Sequence, residues 1–482
     1  MAKAAFWSSF RVGWSQIFGL IVFSLLVRML GPKEFGLFAL SVTMIELLRP
    51  FCSAGLAEAI QREDRPNEEL RDTAFWISLG SSLFVGLVII FLAQAYSQII
   101  RDDSVVLPMI ALTSTLVISA LGRVHIAFQL KNFEHKSVTF QSLCASSIAG
   151  VIAVILAFNG AGIWALVAQS IISEALMVIF AWSINRWIPK FHFDKMLAKR
   201  ILNFSSGMVF TQVIWSGLAR VPDLVIGRSV GVEAVGVYRI AWRLVDLLGQ
   251  TILTPLSSVT YIALAKSQFD AQKFEAVYIR VIGLSVMIGL PVIIGFGLIA
   301  PELLPLLFGP KAINSIIIAQ ILALSAPPFI MNYFIASALG AKGFSHIMTR
   351  IALIQLVSTV VISVVAAPYG LAAITAAYVI RGYLTLPFQQ FMLQKYADIA
   401  YRNILPCILP STIAVAVMAA AVSFFRLANI FNGVDAAIAI AMNIFVGATF
   451  YIGTLLIISR PMMISQYDFF RSLVSDLRGQ QQ

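Results

Sequence analysis

Apolar stretches of roughly twenty residues follow one another along almost all of this 482-residue chain, separated by short polar connections. A helix needs about 20 mostly apolar residues to cross the hydrocarbon of a bilayer. We place fourteen such stretches, at 6–29, 36–56, 73–96, 105–129, 138–158, 162–183, 203–226, 234–263, 277–299, 313–339, 346–366, 371–393, 404–425 and 434–459. The expected fold class is therefore an all-α polytopic membrane protein with about 14 transmembrane helices. Glycine, proline and β-branched residues do not oppose helix here, because neighbouring helices re-satisfy the backbone in a bundle. A barrel would show alternating segments of about ten residues, and none is visible. Only 12% of residues are charged, against about one quarter in a soluble domain. That leaves too little polar surface for a water-soluble enzyme.

Cys52, Cys144 and Cys407 lie far apart inside apolar stretches and read as buried thiols. His125, His135, His192 and His346 are scattered, so no metal site and no bound cofactor are expected. A net charge of +11 would suggest nucleic acid on a soluble protein. Here the positive-inside bias of a membrane protein explains it, and no nucleic-acid partner is expected. With the N-terminus in the cytoplasm, inner connections hold 21 Lys and Arg and outer ones hold 5, alternating loop by loop. Both termini are then cytoplasmic. The first stretch carries Arg11 and Arg28 and lacks a small-residue cleavage site, so it reads as a helix and not a signal peptide. The largest inner connection contains NRWIPKFHFDKMLAKR, basic with interleaved aromatics. It reads as a surface-lying link between two bundles, with a lipid-headgroup site as the unspecific alternative.

The chain repeats itself. At a shift of 200, Arg28 to Phe38 falls on Arg228 to Tyr238, and Glu46-Leu47-Leu48 falls on Asp246-Leu247-Leu248. Arg28, Gly31, Gly36, Leu47 and Leu48 recur identically. At a shift of 210, residues 151–160 match 361–370 at five of ten positions, ending on Gly160 and Gly370. Two six-helix halves in the same order form a parallel repeat about an axis along the membrane normal. The expected organisation is an N-lobe at 1–184, a basic linker at 185–202, a C-lobe at 203–396, and helices thirteen and fourteen with a cytoplasmic tail at 397–482. Two lobes around a midplane site is the layout of an alternating-access transporter.

With Arg280 and Arg350, near stretch ends, counted among the inner connections, eight basic residues lie inside the stretches, and every one is Arg: Arg11, Arg28, Arg49, Arg123, Arg220, Arg239, Arg243 and Arg381. Four acids join them: Glu46, Glu174, Asp223 and Asp246. An intramembrane charge costs at least ~2.5 kcal/mol on insertion scales, so eight of them ask for a hydrated interior. Arg stays charged, and its planar fork grips phosphate at two points, whereas Lys deprotonates more readily when buried. The eight are therefore candidates to bind a phosphate or pyrophosphate anion. Arg11, Arg28 and Arg123 lie near helix ends and have snorkelling as an alternative. Glu46 with Arg49, Arg220 with Asp223, and Arg243 with Asp246 are three apart and have pairing on their own helices as an alternative. Arg239, Arg243 and Asp246 share one helix face. Arg381 sits about eleven residues into its stretch, ~16 Å from the boundary, with no acid nearby in sequence. Glu46, Asp246 and Asp223 are candidates for coupling to an H+ or Na+ gradient, since acids in a membrane can bind either ion. Trp14, Trp215 and Trp242 lie deeper than the interfacial aromatics and offer rings to sugars.

Arg28-Met-Leu-Gly-Pro-Lys-Glu-Phe-Gly-Leu-Phe38 resembles the first-loop signature of the Wzx-like polysaccharide transporters of the MOP flippase superfamily. So do Gly55-Leu-Ala-Glu-Ala-Ile-Gln61 and Gly160-Ala-Gly-Ile-Trp-Ala-Leu166. Asp223 to Arg228 with Gly236-Val-Tyr-Arg239, and Leu306-Leu-Phe-Gly-Pro-Lys311, complete the resemblance over nearly the whole chain. Ala312 stands where that family often has Trp. The resemblance implies two six-helix lobes in a V with a cationic lumen, in a bacterial inner membrane. It implies movement of undecaprenyl-pyrophosphate-linked oligosaccharide units from the cytoplasmic to the periplasmic leaflet, for exopolysaccharide or O-antigen synthesis. Membrane lipid, a polysaccharide polymerase and a chain-length regulator are the implied partners. A peptidoglycan-precursor flippase and a multidrug exporter of the same superfamily are the alternatives, although an exporter of cations should favour an acidic cavity. A membrane polymerase would need a larger outer loop than the outer connections here, which are all about 15 residues or shorter.

Overall fold

In a computed structural model the backbone is described for residues 2–53, 55–62, 68–428 and 434–479. Side chains are described for these except 2–15, 61, 62, 258, 259, 345, 461–465 and 467–479. Among the described residues the chain is helical with short 3-10 turns and contains no strand. Among the described residues eleven helices are long and apolar enough to cross a membrane, or thirteen if two bent pairs are each one span. The chain is thus a multi-pass membrane protein, and the fourteen spans read from the sequence stand against eleven to thirteen among the described residues. At the N-terminus the helices Gln16–Leu30 and Pro32–Leu48 are bent by 118°, and the side chains of residues 2–15, where the first of the fourteen stretches begins, lie outside the described residues. Gly31 makes that bend at φ 89, a conformation that favours glycine.

Two compact units, Lys3–Gly236 and Val237–Gln482, divide the chain. The first contains α1 (Ala2–Leu30), α2 (Pro32–Leu48), the short α3 (Pro50–Ser53) and α4 (Leu56–Arg62), α5 (Glu68–Ile100), α6 (Val106–Lys131), α7 (His135–Phe158), α8 (Trp164–Ile184) and α9 (Lys195–Ser229). It also holds the first residues of α10 (Val232–Lys266). Lipid tails are as apolar as Leu, so close approach of helices, and not hydrophobicity, decides what packs on what. On α7, Ala145, Ala149, Ala153 and Ala157 recur every fourth residue and are all buried, a seam of small side chains. Helix α9 opens the second lobe in the sequence reading, yet it packs on α2 and α5 in the first unit. Gly227 is the reason on one side, because a Cβ there would come within 2.9 Å of Leu40 Cδ2 on α2. The repeated glycines are another: a Cβ on Gly36 would run into the Val232 carbonyl oxygen, and one on Gly236 into the Pro32 carbonyl oxygen.

The second unit continues α10 and adds α11 (Ala271–Phe308), α12 (Ser315–Ala323), α13 (Ala326–Tyr333), α14 (Ile335–Ala341), α15 (Ser345–Ala366), α16 (Leu371–Ala397), α17 (Tyr401–Leu427) and α18 (Ala436–Gly479). Pro291 lies inside α11 and has no N–H to give the Met287 carbonyl four residues earlier. Tyr451 on α18 supplies the missing donor, its hydroxyl reaching Met287 O at 2.7 Å. Tyr451→Phe leaves that carbonyl unsatisfied in an apolar setting, a loss of about 1 kcal/mol. The expected result is a fall of about 2 °C in the melting temperature of the detergent-purified protein; an unchanged value would mean that another donor takes over.

Candidate functional site

The first unit gathers four of the intramembrane charges. Arg49, the C-cap of α2, places its Nε 3.5 Å from Glu46 Oε1 and its Nη1 3.8 Å from Glu174 Oε1 on α8. The pair three residues apart is thus real, and Arg49 also bridges to a second helix. All three side chains are about one third exposed. Arg123 on α6 is committed differently. Its Nη1 donates to the Cys52 carbonyl and to Ser78 Oγ at 2.7 Å, and its Nη2 donates to Ser119 Oγ at 3.1 Å. That fork fastens α3, α5 and α6 together.

Arg220 and Asp223 also form their pair, Nη1 to Oδ2 at 3.5 Å, with Asp223 fully buried. Thr43 Oγ1 on α2 donates to the same Oδ2 at 3.4 Å. A buried carboxylate is costly unless paired and hydrogen-bonded, and this one ties α9 to α2. Arg28 is exposed at the end of α1. The side chains of Arg11 and Trp14 lie outside the described residues.

The second unit holds the other group. Arg239, Trp242, Arg243 and Asp246 follow one another on α10 at spacings that keep them near one face. Asp246 is engaged by Gln250 Nε2 at 3.2 and 3.3 Å, and among the described residues no ion pair joins it to Arg243. Arg381, on α16, is 8% exposed. Its guanidinium carbon lies 4.7 Å from the Tyr378 ring centre, within cation–π range. Tyr378 meets Trp242 edge-on at 5.5 Å, and Trp242 stacks on Tyr238 at 6.0 Å. Arg239 and Asp246 act electrostatically on the Tyr378 phenol, so the α10 and α16 charges form one neighbourhood. Arg381 Nε and Nη1 have no hydrogen-bond partner. Buried donors are nearly always satisfied, so two idle guanidinium N–H groups on one side chain are suited to an acceptor that comes and goes.

Tyr378 and Gln250 were not singled out from the sequence. The signal was available: Tyr378 is three residues before Arg381, and Gln250 four after Asp246, the spacings at which helical side chains meet. The contact of Arg49 with Glu174 is 125 residues apart in the chain and had no such signal. The second unit also carries an apolar cavity of about 430 Å³, lined by residues that include Leu248, Pro291, Phe296, Met418, Asn443 and Tyr451.

Comparison with known proteins places these features in context. Residues 25–317 match the family model described as polysaccharide biosynthesis protein. The chain is 24% identical over 322 residues to the succinoglycan biosynthesis transport protein ExoT of Rhizobium meliloti (strain 1021), covering 65% of each. It is 22% identical over 311 residues to the lipopolysaccharide biosynthesis protein WzxC of Escherichia coli (strain K12), covering 63% of this chain and 62% of that one. These matches span just under two thirds of the relatives' lengths. Among solved structures, the lipid II flippase MurJ in an inward closed conformation superposes with a TM-score of 0.77 at 14% identity, over 94% of this chain and 99% of that one. An inward-facing multidrug resistance MATE transporter of the MOP superfamily gives 0.66 at 18% identity, over 80% and 94%. Both likenesses speak for the fold.

Proposed function

The chain belongs to the polysaccharide biosynthesis protein family, and we propose that it is a flippase for undecaprenyl-pyrophosphate-linked oligosaccharide units. It moves them from the cytoplasmic to the periplasmic leaflet of a bacterial inner membrane by alternating access, supplying exopolysaccharide or O-antigen synthesis. The observation that carries this reading is Arg381, a buried guanidinium with Nε and Nη1 unpartnered beside a second Arg-bearing helix. A pyrophosphate offers paired acceptor oxygens to such a fork. Tyr378, Trp242 and Tyr238 supply ring faces for sugars, and the apolar cavity has the lining a polyprenyl chain needs. A polymerase and a chain-length regulator act on what is delivered. Both termini are cytoplasmic, following the distribution of Lys and Arg.

The reading is tested by depleting the protein from its host. Lipid-linked units are expected to accumulate on the cytoplasmic face, resistant to periplasmic glycosidase; units that stay accessible outside would end it. Coupling to an H+ or Na+ gradient rests on Asp246, which is held by neutral Gln250 and joined to no Arg243 ion pair, so its charge is available to an ion. Asp246→Asn is expected to transport without responding to the imposed gradient. Gradient dependence that survives the substitution would remove Asp246 from coupling. Glu46 and Asp223, each paired with Arg on its own helix, are the lesser coupling sites in this proposal.

A further inference from the structure

The segment between α8 and α9 is firmly docked. Lys190 donates its backbone N–H to Asp72 Oδ1 at 3.0 Å, and its carbonyl accepts from Trp76 Nε1 at 2.9 Å. His125 Nε2 reaches the Trp187 carbonyl at 3.0 Å, and the Asp194 N–H donates to Thr73 Oγ1 at 3.2 Å. Trp187 packs its ring 5.2 Å from His125 and 6.2 Å from Phe75. Asp194 then caps α9 by accepting from Met196 N at 2.7 Å.

On a backbone held this well, the side chains left outside are a built surface. Phe191 is 95% exposed, Met196 82%, Ile188 70% and Phe193 52%. Arg186, Lys195 and Lys199 are exposed among them. The nearby acids are already engaged. Glu68 pairs with Lys190 and holds that ammonium above its ordinary pKa, Glu69 faces His192 at 3.9 Å, and Asp72 and Asp194 accept backbone N–H groups. What remains is a net basic, aromatic surface. Its place in the chain says what meets it. Trp164–Ile184 before it and Lys195–Ser229 after it are both membrane spans, so the segment lies where the chain leaves the hydrocarbon and returns. Basic residues interleaved with large apolar ones are the composition that settles at a bilayer interface, and anionic lipid attracts such segments.

We infer that residues 186–199 form a binding surface for the anionic phospholipid headgroups of the adjoining leaflet, in which Ile188, Phe191, Phe193 and Met196 enter the headgroup–acyl boundary and Arg186, Lys195 and Lys199 meet the phosphates. The surface belongs to the first unit and stands independently of the transport reading. It anchors the start of α9 to the bilayer, and so ties the position of that helix to lipid composition.

The full-length protein, reconstituted in nanodiscs of phosphatidylcholine containing phosphatidylglycerol, gives two readouts. Nitroxides on Phe191→Cys and Met196→Cys, with Cys52, Cys144 and Cys407 replaced by Ala, are expected to collide more with oxygen than with a water-soluble nickel chelate. Native mass spectrometry is expected to find phosphatidylglycerol retained by the unsubstituted protein and by the charge-keeping variant R186K/K195R/K199R. Each base near an anionic leaflet is worth about fivefold in binding, so R186Q/K195Q/K199Q is expected to lose roughly tenfold or more of that retention. Phe191→Cys gives up the stack of that ring on Trp76 at 4.9 Å, so Met196→Cys, which leaves that stack in place, is the independent second site. Nitroxides as open to the nickel chelate as one at exposed Asn159, or phosphatidylglycerol retention unchanged in the Gln variant, would overturn the inference. Labelling blocked in native membranes but open in nanodiscs would put a protein on the segment instead, and overturns it equally.

Discussion

Arg381→Lys is expected to stop polymer production while the protein still reaches the membrane in normal amount. The substitution keeps the charge and most of the volume, so the stack on Tyr378 and the packing of α16 persist in outline. It removes the fork whose Nε and Nη1 find no partner among the protein's own groups. A charge-assisted hydrogen bond is worth about 1.5–3 kcal/mol, so losing one of a bidentate pair slows transport about 10- to 100-fold. Removing the side chain in Arg381→Ala should cost more. The measurement is complementation of a strain lacking the protein, with membrane-fraction immunoblots as the control. Full complementation by the Lys variant would make Arg381 structural, and with it the proposed head-group site would fail.

Gly36→Ala has the opposite signature: the protein itself should be lost. A Cβ on Gly36 meets the Val232 carbonyl, and one on Gly236 meets the Pro32 carbonyl. Neither obstacle is the flexible end of a side chain, so the backbones of α2 and α10 must separate. Overpacking a well-packed site costs about 1–3 kcal/mol, and against main chain the upper end or more is expected. Little folded protein should be recovered from membranes carrying Gly36→Ala or Gly236→Ala. Gly207→Ala, where a Cβ meets open space, is the control and should be recovered normally. Normal recovery of all three would show that the two helix starts do not pack as described.

The two cases also show what the sequence makes legible. The recurrence of Gly31 and Gly36 as Gly231 and Gly236 was visible as a repeat, but not that the repeats meet each other, because a match in sequence carries no direction. Helix existence was legible throughout, since twenty apolar residues admit little else in a bilayer. Among the described residues eleven to thirteen spans are found, with α1 and α2 meeting at 118° about Gly31. The placement of α9 was hidden because lipid and protein are equally apolar, and the deciding contacts, Gly227 against Leu40 and Thr43 with Asp223, are far apart in the chain. Arg381 stood out by depth and isolation, and the structure finds its donors unused. Arg123 looked similar by type, yet its donors are spent on Ser78, Ser119 and the Cys52 carbonyl; two of those partners sit 45 and 71 residues away. Arg49 and Arg220 were read with pairing as the alternative, and both are paired.

The central claim is that this chain moves a pyrophosphate-linked glycan across a bilayer and recognises the pyrophosphate through Arg381. Proteoliposomes containing the purified protein and a fluorescent undecaprenyl-pyrophosphate-linked oligosaccharide test it directly, with the fraction of lipid open to an external quencher followed over time. The unsubstituted protein is expected to equilibrate the lipid between leaflets, Arg381→Lys to do so about 10- to 100-fold more slowly, and neither to move the same oligosaccharide on a neutral polyprenyl carrier. Equal movement of the neutral and pyrophosphate lipids, or equal rates with Arg381 and Lys at that position, would contradict it.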